Sequence, residues 1–346
     1  MNQKFLLIAF IVLLSFIANI MYGAIPAQER IALIALYNST KGDSWFNKTG
    51  WKTPPLNSDG FAMPGTEGNW LGIGIQKDHV IVINLPHNNL QGPIPPELEN
   101  LSYLQNLSLS GYIKGPEHAN HLSGDIPPNL GNLSHLQTLD LSYNDLTCNI
   151  PPELGNLANL KSLILSNTPL TGNIPSSFGN LLNLEYLSFY YNKLSGNIPS
   201  SLGNLVNLDT LFLTGNPISG SIPDSFGNLS KLSFLRLEGT QINGSIPSSF
   251  GNLRSLKTAY LSRNQLSGSI PPSFGNLANL AFLYLDHNQL SGSIPAEFGN
   301  LDNLSDADLS YNQLSGNIPP ELENMQELRH LALDNNQLSG SIPPEL

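Results

Sequence analysis

The chain has 346 residues, 40% of them hydrophobic, which excludes a disordered polypeptide. Only 12% are charged, so Asn, Ser, Thr and Gly must cover much of the surface. Twenty-six acidic against 15 basic side chains leave a net charge of −11, which repels phosphate backbones and excludes nucleic acid as the expected partner.

Residues 1–23, MNQKFLLIAFIVLLSFIANIMYG, carry one Lys, an apolar run from Phe5 to Met21, and small or turn residues before Ala24. This pattern predicts a secretory signal peptide removed near Ala24, with an uncleaved membrane anchor as the rival. In residues 24–79, "PAQERIALIALYNST" has apolar residues at helical spacing, and "GDSWFNKTGW" and "GNWLGIGI" hold all three tryptophans, Trp45, Trp51 and Trp70. The single cysteine, Cys148, permits no intramolecular disulfide, so packing alone must hold the fold; it is expected as a small, partly buried thiol.

From residue 80 to 346 one unit recurs eleven times. Its Asn or Thr falls at 88, 120, 144, 168, 192, 216, 240, 264, 288, 312 and 336, a step of 24 residues after an insertion at 112–119. One copy reads Leu133-x-x-Leu136-x-x-Leu139-x-Leu141-x-x-Asn144-x-Leu146-x-x-x-Ile150-Pro151. Leu139-x-Leu141 alternates with period two and predicts a short strand with its leucines facing inward. Asn144 carries donors and an acceptor that suit buried backbone in the turn leaving that strand. The Ile-Pro step, present in every copy, predicts extended backbone on the return side. A single coil cannot bury its own leucines, so the coils must stack.

The phrase L-x-G-x-I-P-x-x-L-G-N resembles plant-type leucine-rich repeats, found in ectodomains of receptor-like kinases and receptor-like proteins and in polygalacturonase inhibitors. The resemblance implies an α/β leucine-rich repeat solenoid: a curved right-handed superhelix, a parallel β-sheet on the concave face, an irregular or 3-10 convex side, and an N-terminal helical cap at 24–79. The three tryptophans are then expected as a buried lid on the open end of the core. Plant members usually staple this cap with a cysteine pair; its absence here points to a bacterial or protist member. The chain stops within a repeat at Ser341-Ile342-Pro343-Pro344-Glu345-Leu346, so a receptor-like chain that continues further stands as the rival reading.

No catalytic motif of the hydrolase, phosphate-loop or zinc-protease kind occurs, so no enzyme, cofactor or metal is expected. Glu117, His118 and His121 form the one metal-like cluster, but they sit in or beside the inserted loop and lack an orienting partner.

The letters that change between copies lie between the core leucines and face the concave side. Tyr186, Tyr190, Phe212, Phe234, Tyr260, Phe282 and Tyr284 put an aromatic patch on five consecutive strands, accompanied by Arg236 and Arg263. Rings and arginines are the composition of a binding hot spot, although cross-strand stacking would also explain rings. Asp286, Asp308 and their neighbours form an acidic end suited to a basic partner edge. The sequence thus predicts a secreted or cell-surface, non-catalytic protein that binds a protein or peptide on its concave face. The alternatives are a receptor ectodomain fragment, a carbohydrate or cell-wall binder, and an enzyme inhibitor.

Overall fold

A computed structural model describes residues 24–111 and 119–344. The expected signal peptide and positions 112–118 of the insertion lie outside these described residues.

The helix Ala27–Ser39 comes first and buries Ala32, Leu33, Leu36 and Tyr37. Strand Ile73–Gln76 then pairs antiparallel with His79–Asn84, forming the edge of a twelve-stranded sheet. All later strands of that sheet join parallel, one per repeat, from Asn106–Ser108 to His330–Ala332. Neighbouring strands pair in register at the 24-residue step, as in Thr210↔Phe234, Leu211↔Leu235 and Phe212↔Arg236. The strand on either side of the insertion also pairs in register, Leu107 with Leu139, so the extra residues leave the stack unbroken.

The convex side has the expected 3-10 turns, and a second set of short strands accompanies them. After each turn a second run of short strands pairs between coils, as three strands (Gln91–Gly92, His121–Gly124, Asp145–Leu146) and then seven, from Gly196–Asn197 to Gln337–Leu338. These strands are two to five residues long and place at most one core side chain each, too few for an alternation to register in sequence. A 3-10 turn follows each Ile-Pro step from Ile94-Pro95 to Ile318-Pro319, whose proline is extended as expected; Pro151, before Pro152–Asn156, has φ −63° and ψ 127°.

The core is one continuous column. Leu139, Leu141 and their counterparts as far as Leu309 are buried, and Phe250, Phe274 and Phe298 stack along the convex side, 6.0 and 6.4 Å apart. Coils approach so closely there that a Cβ on Gly203 would lie 2.4 Å from the Ser225 carbonyl oxygen, which explains the constant Gly of "LGN" and "FGN".

The recurring Asn is buried and joins adjacent coils. Asn216 donates through Nδ2 to the carbonyls of Phe189 (2.8 Å) and Leu213 (2.9 Å), and its Oδ1 accepts from the Leu194 amide at 3.0 Å. Thr168 and Thr240 pass the bond onward instead, each with its Oγ1 against the amide oxygen of the next Asn, Asn192 or Asn264. At the front, Asn88 closes the ladder on the cap, with Oδ1 accepting from the Asn47 amide at 2.7 Å.

The three tryptophans are buried as a lid, Trp51 and Trp70 lying 4.7 Å apart with Tyr37 packed against Trp45 and Trp51. Two buried charges from the helix fasten it. Arg30 holds Asp59 (Nε to Oδ2, 2.8 Å), Glu67 and the Ala62 carbonyl (2.7 Å), while Glu29 accepts from the Val80 amide at 2.8 Å and faces His79 Nδ1 at 2.6 Å. Cys148 is half-buried, its Sγ accepting from the Ile126 amide, and burial raises its pKa.

Two outcomes follow from these contacts. Asn216→Ala strands two carbonyls and an amide in the core and is expected to cost about 3 kcal/mol or more in denaturant unfolding; a loss below about 1 kcal/mol would show the ladder to be redundant. The Arg30 hydrogen bond lowers the Asp59 carboxyl from 3.8 to about 2. A depressed carboxyl stabilises the fold above its unfolded value and loses that contribution as pH falls through the folded one. The melting temperature should therefore drop over that window, and Asp59→Asn should flatten the drop.

Candidate functional site on the concave sheet

Each inner strand sends its middle residue into the core, as Leu187, Leu211, Leu235, Ala259 and Leu283 show, and its flanking residues outward. In-register pairing then sorts the changing letters into rows. One row runs Tyr186, Thr210, Phe234, Thr258, Phe282, Asp306, with rings alternating with threonines. The next runs Ser188, Phe212, Arg236, Tyr260, Tyr284, Asp308. The aromatic patch expected as a single surface is therefore two rows of different character.

The second row is a continuous stack. The Arg236 guanidinium carbon lies 5.4 Å from the Phe212 ring centre and 4.4 Å from that of Tyr260, and Tyr260 stacks on Tyr284 at 4.6 Å and 11°. Tyr186 meets Phe212 edge-on at 5.9 Å. Tyr186, Phe212, Phe234, Tyr260 and Tyr284 are half-buried, while Arg236 and Phe282 are exposed. Burial and nearby carboxylates push the Tyr284 hydroxyl up to about 12. Cross-strand stacking is thus real, and the Arg236 side chain within it stays exposed.

A third row carries Tyr190, Thr214, Glu238, Ser262, Asp286 and Ser310. Tyr190 shares a 2.8 Å hydroxyl–hydroxyl bond with Tyr143, and burial, then that bond, raises its pKa. The acidic end has local partners: Asp286 accepts from Ser262 Oγ and faces His287 at 3.0 Å, and Asp308 accepts from the Ser310 amide at 2.9 Å and from its hydroxyl.

The residue before each ladder Asn forms a fourth row with left-handed backbone: Tyr143, Asn167, Tyr191, Gly215, Gly239, Arg263, His287, Tyr311 and Asn335. Arg263 belongs to this rim, so it does not join Arg236 on the strand face as the sequence reading grouped it. Tyr191 is 60% exposed, and Tyr311, stacked on His287 at 4.2 Å, is 49% exposed. Tyr143, Tyr191, His287 and Tyr311 on the rim, and Thr214 and Glu238 in the third row, join the same surface but were not among the expected candidates. For the four rim residues the signal is the column, since large side chains recur at a position where Gly or Asn is the unstrained choice. Of the metal-like cluster, Glu117 and His118 lie outside the described residues, and His121 Nδ1 sits 3.0 Å from Asp145. Among the described residues no group of three or more potential metal ligands occurs, and no helix is long and apolar enough to cross a membrane.

Arg263 has φ 56° and an exposed side chain, so Arg263→Gly relieves strain at the cost of some chain entropy. It is expected to stabilise the fold by about 0.5–1 kcal/mol in thermal or chemical unfolding. Destabilisation instead would mean that the Arg263 side chain holds the rim together.

A family profile described as a leucine-rich repeat region matches residues 82–222 and 221–343. The ectodomain of the Arabidopsis thaliana membrane receptor kinase GASSHO1/SCHENGEN3, solved in complex with CASPARIAN STRIP INTEGRITY FACTOR 2, is similar at 36% identity and a TM-score of 0.81, over 92% of this chain and 36% of that one. The Arabidopsis receptor kinase HAESA, with the peptide hormone IDA and the co-receptor SERK1, matches at 32% identity and a TM-score of 0.74, over 93% and 56%. A plant ice-binding protein matches at 27% identity and a TM-score of 0.61, over 92% and 90%. This chain therefore spans about a third to a half of the two receptor ectodomains. With its repeats, its paired strand rows and these likenesses together, the chain belongs to the leucine-rich repeat proteins of the plant type.

Proposed function

We propose that this chain is a secreted or cell-surface binding protein that takes a peptide or protein partner on its concave sheet and catalyses nothing. The observation that carries this reading is the Phe212–Arg236–Tyr260–Tyr284 stack, four adjacent strands of rings around one guanidinium on a rigid surface. A preorganised surface loses little entropy on binding, and stacked rings with an arginine are favoured hot-spot chemistry. Two structures similar to this chain are complexes: the receptor kinase HAESA with the peptide hormone IDA, and the plant peptide hormone receptor RGFR1 with RGF2. The apolar leader and the likeness to ectodomains support an extracellular place.

The test is a partner captured on the intact chain and then titrated against Ala variants of Tyr190, Phe212, Tyr260 and Tyr284. Each is expected to lose about 2 kcal/mol or more, about thirtyfold in affinity, while the convex Ser248→Ala leaves binding unchanged. Tyr260→Ala and Tyr284→Ala also remove a ring pair worth about 0.5–1.5 kcal/mol of folding, which melting measures separately. A partner whose affinity survives all four changes would reduce the stack to sheet packing. Saturable binding of wall oligosaccharides lost in the same variants would move the reading to a carbohydrate partner.

One observation favours a second reading. The outer strands present Gln241, Gln265, Gln289, Gln313 and Gln337 as an exposed polar row, and the ice-binding protein matches over 90% of its own length. Thermal hysteresis in a solution of the intact chain would support it, and freezing indistinguishable from a control protein would remove it.

A further inference from the structure

Two polar atoms in the third row have no hydrogen-bond partner among the described residues: Thr214 Oγ1 and Glu238 Oε2. Both atoms are buried, and Thr214 as a whole is only 8% exposed. They belong to adjacent coils and occupy the same row. An unmet buried carboxylate oxygen is among the most costly states available to a side chain, and a neighbouring unmet hydroxyl adds to it. Burial raises the Glu238 pKa, with Asp286 acting in the same direction and Arg236 against it.

The rim next to these buried atoms lacks side chains at two positions. Every non-glycine rim position carries a side chain, but Thr214 is followed by Gly215 and Glu238 by Gly239. The Tyr191 ring leans over Gly215, 2.6 Å from where its Cβ would stand, whereas nothing lies within 4 Å of a Cβ on Gly239. The gap in the rim is therefore flanked by Tyr191 and Arg263, and the half-exposed Glu238 side chain must turn toward it for its buried carboxylate oxygen to meet a partner. The nearest cation of the strand face, Arg236, is held between the Phe212 and Tyr260 rings and makes no ion pair with Glu238 among the described residues.

We infer that Glu238 and Thr214 seat a cationic N–H donor of the bound partner, a guanidinium above all, entering through the gap at Gly239. A carboxylate only accepts, so the group it takes must donate, and charge-assisted bonds are the stronger class. A planar guanidinium can offer separate donors to acceptors on neighbouring strands, and the Tyr191 ring supplies an aromatic wall. The inference rests on the proposed concave-face binding and adds to it the chemistry of one subsite.

The test uses the intact chain and two small probes, N-acetyl-arginine amide and its uncharged citrulline counterpart, followed on the carbon-13 signal of the Glu238 carboxyl. The arginine probe is expected to saturate and to bind at least fivefold tighter than the citrulline probe. Glu238→Gln and Thr214→Val should each erase that difference; the first should leave the melting temperature unchanged, and the second should raise it by removing an unmet hydroxyl. Equal response to both probes, or an arginine response that survives Glu238→Gln, overturns the seat. The titration needs no partner, so the two readings fail separately. Arginine seated in a chain whose partner ignores Phe212, Tyr260 and Tyr284 sinks the stack alone. Partner binding that needs those rings, with no arginine response, sinks the seat alone.

Discussion

The bond that the rest of the molecule depends on runs from the buried Asn of one coil to the backbone of the coil before it. Asn216 reaches the carbonyl of Phe189 and takes the amide of Leu194, both in the preceding coil, while holding the carbonyl of Leu213 in its own. One side chain thus satisfies groups that water cannot reach and sets how far one coil is displaced from the next. A coil of different length would leave those groups unmet unless the extra residues left the stack altogether. Across the insertion the bonds are kept: Asn120 still donates to the Leu85, Leu109 and Ser110 carbonyls and accepts from the Asn88 and Leu90 amides.

Fixed displacement is what turns a repeated sequence into a surface. With every inner strand in register, a side chain meets its counterpart 24 residues away, so a substitution in one copy always addresses the same neighbours. The Phe212, Arg236, Tyr260 and Tyr284 side chains touch in sequence because Asn216, Thr240, Asn264 and Asn288 place their strands. The leucines of the inner coils are fully buried in a close-packed column, so a change of volume there disturbs their neighbours. The outward rows are where variation is compatible with folding, and rings accumulate there without entering the core.

Much of this was legible in the sequence, for a physical reason. Leu139-x-Leu141 and Ile150-Pro151 act through local geometry, so their period and their backbone preference could be read directly, as could the burial of Trp45, Trp51 and Trp70 once an open core end needed covering. The outer strands were not legible because Gln-Leu-Ser-Gly places a single apolar side chain in each. Nor was the left-handed rim: Tyr191 and Arg263 are poor residues for that backbone, and propensity argues against the conformation that the fold imposes. Among the candidate residues, the outward-facing strand positions were legible but their grouping was not. Arg236 and Arg263 are near in sequence pattern, yet a turn between strand and ladder puts them in different rows.

The cap shows the same limit at long range and suggests how this chain replaces a covalent staple. Arg30 meets Glu67 across 37 residues and Asp59 across 29, and no periodicity connects those positions. A buried ion pair contributes little net stability compared with apolar packing, but losing one partner is severe, because the remaining charge stays buried. The pair therefore specifies how the helix seats on the tryptophan lid more than it strengthens the seat. The lid in turn meets the repeats at Asn88, whose side chain bonds Asn47 in both directions. The first rung of the ladder is thus also the last contact of the cap, and the helix charges, the lid and the coil displacement form one connected chain of constraints.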